Sequence, residues 1–443
     1  MNGSWFAMSA TELGRGIGRG EIDPVELAEA FLDRAAQHPL GPRIYARLTP
    51  ERARAEAEAA RERARAGLRR GVLDGVPVSW KDLFDTAGIA TEGGSALLAG
   101  RVPARDAEVL RRATHAGLVC LGKTHMSELA FSGLGYNPVT ATPPSASDPE
   151  AVAGGSTSGG AASVAQGLAP AAIGSDTGGS VRIPAAWNDL VGLKTTSGRL
   201  PLDGVLPLCE SFDTVGPIAR SVEDCAQLLA VLEGGRPVDP GSAGLGGRRL
   251  AILETVAFDE IRDAPRAAFQ SAAERLAAAG ATVERLAAPE VEDALGLAGR
   301  LYAPEAYGTW MSEIERAPEL MFDIILDRFR SGASVLAADH VAAWRELRRL
   351  REVWAERVAG FDAVILPTSP ILPPKIERLA VDRDYFEAEN LLALRNTRIA
   401  NLMGVPALTL PTGVPACGIT AIGRPMREEA LLVLGTAMEA ALA

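Results

Sequence analysis

The chain has 443 residues, of which 47% are hydrophobic and 23% are charged, a composition typical of a folded protein with a large core. Its net charge of −11 is spread along the sequence, which does not indicate a nucleic-acid-binding surface. No run of about 20 apolar residues predicts a membrane span, and the N-terminus lacks the basic start and apolar core of an export signal.

Helical and strand patterns alternate along the chain, and no linker-like stretch divides it. Predicted helices lie at residues 21–36, 51–70, 161–168 and 264–280, and over most of 290–360. Predicted strands lie at residues 171–173, near 248–257, and at 361–368 and 405–411. Between residues 72 and 220, short apolar strands alternate with helices and Gly/Pro turns, which is the pattern of a mixed sheet covered by helices.

Two glycine–serine turns within residues 153–187 are the most informative local feature. Each turn places a serine after two glycines, Ser156 in the first and Ser180 in the second. Glycine allows close backbone approach, so each turn can expose a hydroxyl beside free N–H groups. A lone Gly/Ser turn is more often a linker, but a linker would not carry a helix and a strand between its two halves. A serine nucleophile with nearby N–H donors, and Lys81 as base, is sufficient for acyl transfer.

Histidine, cysteine and lysine usage argues against other hydrolytic mechanisms. The chain contains neither HExxH nor GxSxG, its four histidines have no metal-ligand spacing, and its four cysteines form no CxxC pair. We therefore expect no metal and no cofactor, and reduced thiols in a cytoplasmic protein. Only four of the 45 basic residues are lysines, and arginine cannot replace lysine where a proton must be exchanged.

The two turns resemble the signature of the amidase signature family of serine hydrolases. That signature runs G-G-S-S-x-G and, about twenty residues later, D-T-G-G-S-[IV]-R-x-P-A. The chain corresponds to it at residues 154–159, with Thr157 at the position of the motif's second serine, and at residues 176–185, and Ser180 follows Ser156 by 24 positions. The family's lysine motif, G-[IV]-P-[IV]-x-x-K-D, is matched at residues 75–82. Further matches lie at residues 122–128, 191–194, 213–217 and 422–425, so the resemblance extends from about residue 10 to the C-terminus.

The resemblance implies a fold and a set of catalytic roles. The fold is one α/β/α domain over residues 1–443, a large mixed sheet with helices on both faces. Ser180 is implied as the nucleophile, Ser156 as a bridging serine in a cis peptide, and Lys81 as the general base. A lysine accepts a proton only when it is neutral, so burial or neighbouring dipoles must lower its pKa. The implied oxyanion hole consists of the backbone N–H groups of Thr177, Gly178, Gly179 and Ser180.

The resemblance also implies that residues 290–345, a helical region that differs among relatives, shape substrate recognition. Residues 1–70 are expected to form an N-terminal helical part. Candidate pocket walls within 290–345 are Tyr302, Tyr307 and Trp310, although aromatic residues at helical spacing more often belong to a core. Arg182 is a candidate to bind a substrate carboxylate, with structural bracing of its loop as the alternative. The passages before Ser156 and near the C-terminus depart from the family pattern, which leaves the substrate open.

The main functional prediction is an amidase that hydrolyses a small-molecule amide to an acid and ammonia or an amine. We expect no nucleic-acid or membrane partner, and a homodimer stays open. One alternative is the amidase subunit of a tRNA-dependent amidotransferase, which would release ammonia from glutamine for a partner subunit. The other is a non-catalytic binding protein on the same fold, which the presence of Ser180, Ser156 and Lys81 disfavours.

Overall fold

The computed structural model describes residues 2–239 and 244–443, and within these residues eleven strands form one sheet. The strands are β1 (Tyr45–Leu48), β2 (Pro77–Lys81), β3 (Val119–Thr124), β4 (Ala171–Ser175), β5 (Val191–Lys194), β6 (Val215–Ala219), β7 (Arg249–Leu253), β8 (Thr282–Leu286), β9 (Ala363–Pro367), β10 (Ala407–Pro411) and β11 (Gly418–Ile422).

Sixteen α-helices surround this sheet in the described part of the chain. They are α1 (Ala10–Gly18), α2 (Pro24–Gln37), α3 (Gly41–Ile44), α4 (Pro50–Arg65), α5 (Glu108–Ala116), α6 (Ser158–Ala165), α7 (Arg182–Trp187), α8 (Val222–Glu233), α9 (Asp263–Ala278), α10 (Pro289–Gly296), α11 (Ala298–Arg316), α12 (Asp323–Arg330), α13 (Ala337–Arg357), α14 (Ile376–Val381), α15 (Arg383–Met403) and α16 (Glu428–Leu442). Short 3₁₀ turns connect several of them.

The strand order is β1-β3-β2-β4-β6-β5-β10-β11-β9-β7-β8, and the sheet is mixed. Strands β3, β2 and β4 run parallel, as do β9, β7 and β8, whereas every pair from β4 to β9 through the middle of the sheet is antiparallel. The C-terminal strands β9, β10 and β11 therefore lie between β5 and β7 in the sheet. This arrangement confirms the predicted mixed α/β fold.

Helices cover both faces of the central strands. Successive side chains of a strand point to opposite faces, so a strand buried at every position must be covered on both sides. Strands β2, β3, β4, β6, β9 and β11 are buried at every position. The two edge strands differ, because β1 is mostly half-buried and no residue of β8 is fully buried.

Helix α15 is the long helix that borders the functional region, and its sequence defines both of its ends. The Asp382 side chain caps the N-terminus by accepting a hydrogen bond from the Tyr385 N–H. At the C-terminus, Gly404 adopts a left-handed conformation with φ 72°, and its N–H donates to the Ala400 carbonyl. Between these two caps the helix carries buried polar side chains, among them Asn390, Thr397 and Asn401.

Most of the predicted elements coincide with observed ones. The helices predicted at 21–36 and 51–70 are α2 and α4, and the strands predicted at 361–368 and 405–411 are β9 and β10. Organisation as one domain stays a prediction. No helix among residues 2–239 and 244–443 combines the length and apolarity that crossing a bilayer requires.

Candidate active site

Lys81 is the last residue of β2, and its side chain is fully buried. Its Nζ lies 2.7 Å from Ser156 Oγ and 2.8 Å from Ser175 Oγ, in hydrogen-bond contact with both hydroxyls. Burial lowers the pKa of Lys81 to about 7, although the negative charges of Asp213 and Asp176 oppose this shift. Near neutral pH a large fraction of this lysine is therefore uncharged.

The other two buried lysines have different partners. Lys194 Nζ donates to two backbone carbonyls, those of Thr195 and Val405. Lys123 Nζ donates to the Phe84 carbonyl and to the Thr91 hydroxyl, and it lies 3.3 Å from the carboxylate of Asp82. Carbonyl and carboxylate oxygens only accept hydrogen bonds, whereas a serine hydroxyl can also donate one to a neutral amine. Of the three, Lys81 is the one whose hydrogen-bond partners are all hydroxyl groups, which suits a proton acceptor.

The two glycine–serine turns meet beside Lys81. The Gly155–Ser156 peptide bond is cis, and Ser156 is fully buried. The N–H of Thr157, the next residue, donates to the Ser180 carbonyl at 3.2 Å and so joins the first turn to the second. Helix α6 begins directly after the first turn and α7 directly after the second. The structure thus brings Lys81, Ser156 and Ser180 into one place, as the sequence motifs predicted.

The backbone of the second turn presents free donors next to Ser180. Among the described residues, the N–H groups of Thr177, Gly178 and Ser180 have no hydrogen-bond acceptor. The N–H of Gly179 instead donates to Asp176 Oδ1 at 2.9 Å. The prediction of Gly179 as an oxyanion donor is therefore corrected, because its N–H is already engaged. Its φ of +140° and a Cβ position 2.1 Å from Thr397 Oγ1 still require glycine there.

Arg182 braces the turn and does not line the cavity in front of Ser180, which corrects its assignment as a carboxylate-binding residue. Its side chain is fully buried, and its Nε and Nη2 donate to the two carboxylate oxygens of Asp176 at 3.0 and 2.9 Å. Nη1 also donates to the Thr397 carbonyl, and Nη2 to Asn401 Oδ1, both at 2.6 Å on α15. Burial alone would raise the pKa of Asp176, but Arg182 outweighs it and lowers that pKa to about 2.

A second buried carboxylate, that of Asp213, supports the same turn. Asp213 accepts a hydrogen bond from the Thr177 hydroxyl, and it also accepts from the Leu208 and Cys209 N–H groups at 2.9 and 3.1 Å. Burial raises the pKa of Asp213. With Asp176 holding Gly179 and Asp213 holding Thr177, the conformation of the DTGGS turn is fixed by side chains beneath it.

A cavity of about 390 Å³ opens in front of Ser180, Thr177 and Gly178. Its apolar walls include Phe131, Ile324, Phe386 and Leu394, and its polar lining includes Ser132, Asn390, Arg328 and Arg398. Helices α11, α12 and α15 supply most of these residues. The region 290–345 therefore contributes to the cavity through α11 and α12.

Only one of the three predicted pocket aromatics lines the cavity. Tyr302 does so, and its ring stacks on Phe212 with the centroids 4.3 Å apart. Tyr307 instead lies nearer the surface, where its hydroxyl donates to Glu315, and the Trp310 indole donates to the Pro207 carbonyl. The predictions for Tyr307 and Trp310 are wrong because only the first turns of α11, Ala298 to Ala303, border the cavity, and these two residues lie further along the helix.

Sequence reasoning missed several residues of the site. Ser175, the second contact of Lys81, lies at the end of β4 before the recognised motif. Arg328 and Arg398 reach the cavity from helices whose patterns indicate only an apolar face. Within the described residues, no cluster of three or more His, Cys, Asp or Glu side chains could hold a metal ion.

Comparisons with known proteins identify the family to which this chain is similar. The family model described as Amidase matches residues 26–432. The chain is 36% identical to a "2-amino-5-chloromuconic acid deaminase" of Comamonas testosteroni, over 93% of this chain and 92% of that protein. It is 31% identical to one subunit of the glutamyl-tRNA(Gln) amidotransferase of Anaeromyxobacter sp. (strain K), over 97% and 95% of the two chains. A solved amidase structure superposes with a TM-score of 0.88 at 32% identity, covering 98% of this chain and 100% of the other.

Proposed function

This chain belongs to the amidase family of C–N hydrolases, and we propose that it cleaves a carboxylic amide through an acyl-enzyme on Ser180. The products are a carboxylic acid and ammonia or an amine. Lys81 serves as the general base, and Ser156 carries the proton between Lys81 and Ser180. The proposed oxyanion donors are the N–H groups of Thr177, Gly178 and Ser180.

In the proposed acylation step, Lys81, Ser156 and Ser180 act in turn. Neutral Lys81 accepts the proton of Ser156 Oγ, which in turn takes the proton of Ser180 Oγ, and Ser180 Oγ bonds to the amide carbonyl carbon. The negative charge that develops on the carbonyl oxygen is stabilised by the free N–H donors of the turn. The C–N bond then breaks, and the departing nitrogen receives a proton from Lys81 through Ser156.

Deacylation uses the same groups with water as the nucleophile. Water loses a proton through Ser156 to Lys81 and bonds to the acyl carbon, and the bond to Ser180 Oγ breaks. The proton returns to Ser180, which leaves the carboxylic acid and the free enzyme. Lys81 is the one ionisable side chain that gains and loses a proton in this cycle. Asp176 and Asp213 take no part in it, and their carboxylates are held by hydrogen bonds within the turn region.

The observation that carries the proposal is the environment of Lys81. Its amine is fully buried, and both of its hydrogen-bond partners are serine hydroxyls. Burial lowers the pKa of both Lys81 and Lys194 to about 7, so the hydroxyl partners are what distinguish Lys81. Lys194 by contrast has two carbonyl partners, and Lys123 has a carbonyl and a carboxylate beside its one hydroxyl partner, Thr91. The cavity in front of Ser180 supplies the space for an acyl group next to this machinery.

Ammonia release from a panel of amides tests the proposal. The purified protein and its Ser180→Ala variant are assayed with aliphatic, aryl and dicarboxylic-acid amides. We expect release from at least one class with the unmodified chain and a loss of about 10³-fold or more in the variant. Equal hydrolysis by both proteins would contradict the role of Ser180.

A second candidate function is the amidase subunit of a tRNA-dependent amidotransferase, favoured by the amidotransferase relative at 31% identity. In that case glutamine is the substrate, and the ammonia passes to a partner protein. Purification of the tagged chain from its source cells discriminates between the two functions. A stoichiometric partner and a glutaminase activity that depends on it would favour the second candidate over a free-standing amidase.

A further inference from the structure

Two arginines border the cavity in front of Ser180 without any anionic partner. Arg328 of α12 and Arg398 of α15 form no ion pair and donate no side-chain hydrogen bond within residues 2–239 and 244–443. Arginine guanidinium groups carry five donors and are costly to leave unpaired in a partly buried site. Other arginines of the interior have acceptors, either carboxylates, as for Arg182 and Arg199, or backbone carbonyls, as for Arg220.

Arg398 lies beside the turn that carries the proposed oxyanion donors. Its Nε is 3.8 Å from the point where a Cβ on Gly178 would stand. Its guanidinium carbon lies 5.7 Å from the centroid of the Tyr302 ring, on the wall of the same cavity. The aromatic contact supports the side chain from one face and leaves its N–H donors available to a ligand.

Arg328 faces the cavity from α12 and is supported in the same way. Its guanidinium carbon lies 4.6 Å from the centroid of the Phe131 ring. Burial and the charge of Arg398 lower the pKa of Arg328 to about 9, with Glu387 opposing the shift. The two positive groups therefore repel each other, and an anion between them would relieve that repulsion.

The carboxylates that border the cavity are already paired with another arginine. Asp327 and Glu387 both contact Arg383, with Nη2 2.5 Å from Asp327 Oδ2 and Nε 3.0 Å from Glu387 Oε1. Neither carboxylate lies within 4 Å of Arg328 or Arg398 among the described residues. The cavity thus presents two unpaired guanidinium groups to whatever occupies it.

We infer that the substrate is an amide that carries a carboxylate, and that Arg398 and Arg328 bind this carboxylate while Ser180 faces the amide carbonyl. The inference rests on the proposed amidase function and names the substrate class of the same site. The apolar walls at Phe131, Ile324 and Leu394 leave room for a hydrocarbon segment between the two polar ends. Arginine suits this role because its planar group matches a carboxylate with two parallel hydrogen bonds.

Pairs of amides that differ only in charge test the inference. Malonamate, succinamate and glutaramate are each compared with the isosteric amide in which a methyl ketone replaces the carboxylate. N-Acetylglycine and acetamidoacetone form a fourth pair, in which the carboxylate lies on the amine side. We expect the kcat/KM ratio of charged to neutral substrate to reach about 100 or more in at least one pair. Ratios near one in all four pairs would overturn the inference.

Variants then identify the groups that produce the preference. Arg398→Gln and Arg328→Gln are each expected to reduce the ratio by about 10- to 100-fold. Matched controls are Arg395→Gln on α15 and Arg330→Gln on α12, because neither arginine lines the cavity. The controls are expected to keep the unmodified ratio. Equal losses in the controls and in the cavity variants would contradict the assignment of Arg398 and Arg328.

Further measurements separate failure of the proposed function from failure of the proposed substrate class. The charged-to-neutral ratio is measured first on the unmodified chain, so the substrate class is tested even if a variant fails to fold. Arg398→Lys and Arg328→Lys keep the charge and are expected to retain part of the preference. If no amide is hydrolysed and a fluorophosphonate does not label Ser180, the proposed function fails. If neutral amides are hydrolysed as well as charged ones, only the substrate class fails.

Discussion

At the scale of single residues, the chemistry depends on what surrounds the Lys81 amine. The signature motifs identified Lys81, Ser156 and Ser180 because each lies in a short local pattern with little freedom in spacing. The sparing use of lysine pointed the same way, and three of the four lysines are buried. Arg398 could not be predicted, because its position depends on how α15 packs and not on neighbouring residues.

Replacing Lys81 tests its role as a proton acceptor. We expect Lys81→Ala to lower kcat/KM by about 10²- to 10⁴-fold, and Lys81→Arg to be nearly as damaging because arginine stays protonated. Lys375→Arg is the matched control, since Lys375 is an exposed lysine paired with Asp148 and Glu150. Steady-state kinetics on all three variants give the comparison. Near-normal activity of Lys81→Arg would show that the lysine supplies only charge.

The pH dependence of the unmodified chain follows from the lowered pKa of Lys81. The base must be neutral, so kcat/KM is expected to rise about tenfold per pH unit below pH 7 and to level off above it. The midpoint should lie near the pKa of about 7. A profile that falls as the pH rises through 7 would mean that the protonated form is the active one.

The two serines that contact Lys81 are expected to differ in importance. Ser156→Ala should lower kcat/KM by about 10²-fold or more, because it interrupts the proton path. Ser175→Ala removes a hydrogen bond worth about 1 kcal/mol, so we expect a loss of about fivefold. Both variants are compared for kcat/KM and for thermal unfolding. Equal losses would contradict the bridging role of Ser156.

At the scale of elements, the site depends on the contact between the β4–α7 turn and α15. Arg182 reaches from α7 to the Thr397 carbonyl and Asn401 on α15 while holding Asp176 beneath the turn. The sequence placed Arg182 next to the nucleophile but gave no information on α15, which lies some 200 residues further along the chain. Bracing of the loop was one of the two roles considered, and the structure shows that role.

Removing the Arg182 charge should therefore destabilise the fold. Arg182→Met leaves the buried carboxylate of Asp176 without its main partner, at an expected cost of about 3–5 kcal/mol in the free energy of unfolding. Arg349→Met is the control, because Arg349 is an exposed arginine paired with Glu346 and should cost about 0.5 kcal/mol or less. Denaturant unfolding measures both. An unchanged unfolding free energy in Arg182→Met would contradict the bracing role.

The two edge strands could not be predicted from sequence patterns. Central strands such as β9 and β10 are apolar runs, because both of their faces are covered, and they were predicted. Strands β1 and β8 lie at the two edges, carry charged residues such as Arg47 and Glu284, and were not predicted. An edge strand that is half-exposed has neither a continuous apolar run nor a strict alternation.

At the scale of the whole molecule, the order of the strands predicts that the chain cannot be divided near residue 290. Strands β9, β10 and β11 lie between β5 and β7, so a 1–290 fragment loses the middle of its sheet. We expect this fragment to be insoluble or to lack cooperative unfolding, and to have no amidase activity. Calorimetry of the purified fragment, with the full chain measured in parallel, is the test. A stable, cooperatively folded 1–290 fragment would show that the chain contains two domains.

The identity of the nucleophile is tested most directly by covalent labelling. The purified chain is treated with a fluorophosphonate, its amidase activity is measured at intervals, and a sample from each interval is digested so that the labelled peptide can be sequenced by mass spectrometry. We predict one label per chain, on Ser180, with activity lost in proportion to labelling and no label in Ser180→Ala. A label on Ser158 or Ser175, or complete labelling of Ser180 with full amidase activity retained, would contradict the account.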